Sequence, residues 1–88
     1  MRTVRSLLVS LKGRLCEIYP KETDGYDLSE LDYLLNLIDG FLMGYLDITR
    51  ENLNDFVESV VTVAIMQVKF DLLDYVKPFS KEFIDAKV

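Results

Sequence analysis

The sequence predicts an all-α protein, with three antiparallel helices plus a short C-terminal helix packed as a small helical bundle. Three observations predict it. Apolar residues recur at three- and four-residue spacing along most of the chain. Residues able to cap a helix stand directly before three of these stretches. Only four glycines and two prolines interrupt the pattern. At 88 residues the chain is long enough for one modest core, so 1–88 is read as a single helical domain.

The first helix is expected near 2–19, where Val4, Leu7, Leu8, Leu11, Leu15 and Ile18 form one stripe. Pro20 to Asp27 (PKETDGYD) then reads as a loop. The second helix is expected near 28–46. Asp27 is its expected N-cap, with Glu30 closing a capping box and Tyr26 stapling onto Leu31. Its apolar stripe runs from Leu31 through Leu34, Leu35, Ile38, Phe41 and Leu42 to Tyr45, opposite Asp32, Asn36, Asp39 and Asp47. Gly40 and Gly44 make a GxxxG step, which in such a chain marks tight packing against a bulky neighbour.

The third helix is expected near 50–77, capped by Thr49, with Ile48 stapling onto Leu53 and Glu51 near the positive helix terminus. The β-branched run Val60 to Ile65 (VVTVAI) favours strands by propensity. No turn signal lies between Thr49 and Pro78, however, and a lone strand would have nothing to pair with. Helix is therefore predicted there too. A short last helix near 81–86 would be capped by Ser80, with Phe79 reaching Ile84.

The third helix carries two apolar stripes. One contains Leu53, Val57, Val60, Val61, Ala64, Val68, Leu72 and Tyr75, and the other Val63, Met66, Phe70 and Leu73. A helix apolar on two faces is central to its domain or part of an interface. The second stripe is spaced like a coiled-coil seam, so Val63, Met66, Phe70 and Leu73 are assigned to self-association in a homodimer. The competing account covers the stripe within one chain, through Phe79, Phe83 and Ile84.

Charge separates the function classes. The chain carries ten basic and fifteen acidic side chains, net −5. Residues 1–19 hold Arg2, Arg5, Lys12 and Arg14 against Glu17, whereas 22–68 hold ten acids against Arg50 alone. This balance points to a basic protein partner or to solubility, not to nucleic acid. Glu30, Asp32, Asp39, Asp47 and Glu51 are the expected partner-binding residues. The basic N-terminal helix leaves weak nucleic-acid or membrane-surface binding as an alternative, without a stacking platform or a helix-turn-helix pattern to support it, and pairing of its cations with Asp32 or Asp39 of the second helix, or plain solvation, is expected instead.

Catalytic and metal chemistry find few groups. There is no histidine, and Cys16 is the one cysteine, which removes histidine bases, disulfides and nearly every zinc site. Asp32, Asn36 and Asp39 share a helical face but supply too few oxygens for a hard cation. Acids around Asp24 and Gly25 lack the spacing of a calcium loop. Cys16, with Lys12 one turn earlier, reads as a small hydrophobe at a core margin. No catalytic, metal or cofactor site is expected.

Nor is a membrane span. The longest uncharged stretch beyond the N-terminal segment, Ser59 to Val68, has ten residues, and Lys12 and Arg14 stop the opening apolar run short of signal length. A single cysteine suits a reducing compartment. The expectation is a cytoplasmic, non-enzymatic, acidic protein-binding module. It would act as a regulator or inhibitor of the kind common in viruses and mobile elements (in the host cytoplasm if viral). An obligate oligomeric structural subunit is the alternative.

Overall fold

A computed structural model describes residues 4–21 and 24–77. Within them the chain forms three α-helices, α1 (Val4–Ile18), α2 (Gly25–Met43) and α3 (Arg50–Gln67). Two 3-10 helices, Tyr19–Lys21 and Phe70–Tyr75, follow α1 and α3. No strand occurs among the described residues. The expected helix at 81–86, with Phe79 and Ser80, lies outside them.

Cross-helix contacts fix the directions. Arg5 and Lys12 of α1 meet Leu42 and Asp39 of α2, so the start of one helix lies at the end of the other. Gln67, closing α3, donates to Asp27 at the start of α2. The three helices therefore run up, down and up, as a short-loop bundle requires.

The α1 stripe behaves as its spacing demands. Leu7, Leu8, Leu11, Leu15 and Ile18 are all buried. On α2, Leu31, Leu34, Ile38 and Phe41 are buried, while Tyr45 is exposed. The helix stops at Met43, before Tyr45, because Gly44 takes the left-handed conformation at φ +83°. The start of α2 also differs from expectation. Asp24, not Asp27, is the N-cap, accepting from the backbone N–H groups of Tyr26 and Asp27. Tyr26 is exposed and staples nothing onto Leu31. Thr49 caps α3 as expected, its Oγ1 accepting from Asn52 N–H at 3.1 Å.

The VVTVAI run is helical. Val60 and Val63 are fully buried, and the Thr62 hydroxyl donates to the Glu58 carbonyl one turn back, so tertiary burial overrides strand propensity. The buried face of α3 is rotated from the expected stripe toward Phe56, Ser59 and Val63. Phe56, which the periodicity reading passed over, meets Phe41 edge-on, with ring centroids 6.1 Å apart.

The long third helix is the main correction. It ends at Gln67, not near residue 77, because Val68 adopts φ +52°, ψ +43°. Val68 N–H returns to the Ile65 carbonyl and Lys69 N–H to the Ala64 carbonyl, a Schellman closure built on a valine. The chain then turns back, and Leu72 inserts fully buried into the core. The sequence carries no Gly, Pro or Asn at this point to announce the break.

Candidate functional site

The four residues expected at a self-association seam do not lie on one continuous helix face. Val63 is 1% exposed within the chain's own core, Leu73 packs against that core, and Met66 is half-buried. Only Phe70 stands well out. A coiled-coil seam needs one continuous helix, and the turn at Val68 separates Val63 and Met66 from Phe70 and Leu73.

The acidic residues also divide. Asp39 is engaged by Lys12, whose ammonium donates to Oδ1 at 2.6 Å. That hydrogen bond, and then the carboxylate's charge, raise the Lys12 pKa above the ordinary lysine value. Glu30 is half-buried near the other end of α2, and Asp32 is exposed on its outer side. Asp47, in the α2–α3 connection, and Glu51, in the first turn of α3, are both exposed. There the Asp47 carbonyl accepts from Thr49 N–H and from the Asn52 side-chain amide, which fixes the turn.

That same corner shows a feature the periodicity did not foretell. Met43, Tyr45 and Ile48 expose 66%, 80% and 53% of their surface within six residues of chain. Tyr45, expected in the α2 stripe, is released because α2 stops at Gly44, while Leu46 packs against the core and Ile48, the expected staple, stays more than half exposed. Leu46 packs over Gly40, where an added Cβ would lie 2.7 Å from its Cδ1. The GxxxG step is thus a packing device, with Leu46 as the bulky neighbour and Gly44 as the helix stop.

Basic groups gather elsewhere. A cleft of about 190 Å³ between the ends of α1 and α3 is lined by Arg14, Glu17, Ile18, Lys21, Gln67 and Lys69. Arg14 bonds Glu17 and Asp71, at 3.3 and 3.2 Å. Lys21 closes the 3-10 turn that follows α1 and Lys69 lies two residues past the end of α3, near helix C-termini where cations offset the negative end of the backbone dipole. Sequence reasoning missed this cluster because its members are far apart in the chain.

At the other end of α1, the Arg5 guanidinium donates to the Leu42 carbonyl at 3.1 Å, closing the C-terminus of α2. Arg5, Lys12 and Arg14, the described cations of the basic helix, therefore all hold acceptors of this chain. Cys16 is exposed and does not serve as a core hydrophobe. Among the described residues no three acidic or cysteine side chains gather in a form that could hold a metal ion. No helix there is long and apolar enough to cross a membrane. Comparison with known protein families, with curated proteins and with solved structures gives no match.

Proposed function

We propose that this chain is a non-catalytic protein-binding module, a small regulator or inhibitor that docks on a larger, basic protein through its α2–α3 corner. The observation that supports this reading is the exposure of Met43, Tyr45 and Ile48 beside Asp47 and Glu51. Aromatic residues and methionine are enriched at protein interfaces, where charged residues form the rim. The acids would steer a partner of opposite sign, and Tyr45 would supply the anchor. Asp32 is exposed about three turns back along α2 from this corner, whereas Asp39 between them is already committed to Lys12.

Quantitative capture from the native cell tests it, comparing the wild type with two variants of matched circular dichroism. Tyr45→Ala removes the anchor and should weaken binding of the enriched protein by about 2 kcal/mol, roughly thirtyfold. Asp47→Asn with Glu51→Gln should slow association and flatten its salt dependence. A captured protein held equally by the wild type and both variants would return this corner to a solubilising role.

A further inference from the structure

We propose that the turn at Val68 is a hinge, and that the place in the core beside α1 that receives Leu72 also receives the same segment from a second copy of this chain. Three observations carry the proposal. The first is conformational. A β-branched residue at positive φ is rare, because its Cβ substituents crowd the backbone, and this position at a helix end usually falls to glycine. Val68 is also 72% exposed, so no packing of its side chain compensates.

The second lies in the sequence beyond the hinge. Ala64, Val68, Leu72 and Tyr75 keep helical spacing across the break. If Val68 relaxes to ordinary helical angles, α3 runs on without interruption and the strain is gone. Leu72 then leaves its own core, and its place beside α1 falls vacant.

The third concerns what holds the returning segment. Leu72 is completely buried, and Asp71 accepts from Arg14 of α1 at 3.2 Å. Both contacts lie between the segment and the rest of the chain, so a second copy can supply them identically. An exchange of this kind replaces each lost contact and releases strain at two hinges, which is the usual basis of domain swapping. It differs from a seam along α3, since Val63 stays in its own core.

Sedimentation at high micromolar concentration, before and after refolding from urea, tests the exchange. The wild type should give a slowly formed dimer. Val68→Gly accepts the turn without strain and should disfavour the dimer by about tenfold per hinge. Val68→Ala, the better helix former, should favour the dimer over Val68→Gly. The swapped geometry has its own signature in Arg14→Asp and Asp71→Arg. Refolded alone, each juxtaposes like charges. Refolded as a mixture, they restore both ion pairs between chains and should form a heterodimer preferentially. A wild type and a Val68→Ala variant that stay monomeric after refolding overturn the proposal. So does a dimer indifferent to Val68→Gly, or a charge-reversed pair that shows no preference when mixed.

Discussion

Phe56 shows what a single residue contributes here. It is among the largest fully buried side chains, and its ring closes edge-on against Phe41 between α2 and α3. Truncation to alanine leaves a cavity as well as lost transfer energy, so Phe56→Ala should cost about 3–5 kcal/mol in a urea melt. For a domain this small, that is a large part of the total. The residue was legible in principle. It stands three positions after Leu53 and four before Val60, on the edge of the stripe assigned to the core. A period of 3.6 tells which residues share a side of a helix, but not how far that side is turned toward its neighbours. Only the docking of α2 settles this, which is why Phe56 and Val63 joined the core while Val61 did not become fully buried.

At the scale of elements, the two helix ends can be compared. α2 ends on Gly44 at φ +83° and α3 on Val68 at φ +52°. The first end could have been read from the glycine, although the expected helix ran two residues past it. The second had no local marker, and apolar spacing continued straight through it. What ends α3 is the gain from burying Leu72 and packing Leu73 and Tyr75 beside it, a tertiary effect that no window of sequence contains. Gly40 allows a sharper test of packing against propensity. Alanine is favoured over glycine in a helix by about 1 kcal/mol, but here its Cβ would meet Leu46. Gly40→Ala should therefore destabilise the wild type, with overpacking of about 1–3 kcal/mol outweighing the gain. In a Leu46→Ala background the same change should stabilise. A thermal-melt double-mutant cycle reads the change of sign.

For the whole molecule, class and helix order were legible because amphipathic spacing, caps and sparse breakers agreed with one another. The surfaces were not. Asp39 was legible only as one of two aspartates that could pair with the cations of α1, and the docking of the helices selects it for Lys12. Tyr45 looked like core until α2 stopped short of it. The cations of α1 were expected on Asp32 or Asp39 or in solvent, yet Arg5 holds the Leu42 carbonyl and Arg14 an acid on the segment after α3. For Lys12, Arg5 and Arg14 the partner lies far off in sequence, beyond the reach of a periodicity argument, whereas Tyr45 is released by the glycine beside it.

The brief connection between α2 and α3 has a consequence in time. Phe41 and Phe56 close across it with little loop to order, whereas Arg14 and Asp71 must meet over 57 residues. Contacts local in the chain assemble early, so the α2–α3 pair should form the folding nucleus and α1 should seat later, with Leu72 inserted last. A stabilising contact made before the barrier governs how fast a protein folds, and one made after it governs how long the protein lasts. Stopped-flow circular dichroism should accordingly find that Phe56→Leu chiefly slows refolding, while Leu72→Ala leaves refolding almost unchanged and accelerates unfolding. The lifetime of the folded chain would then be set at the segment after Val68, and its speed of formation at the opposite end of the bundle.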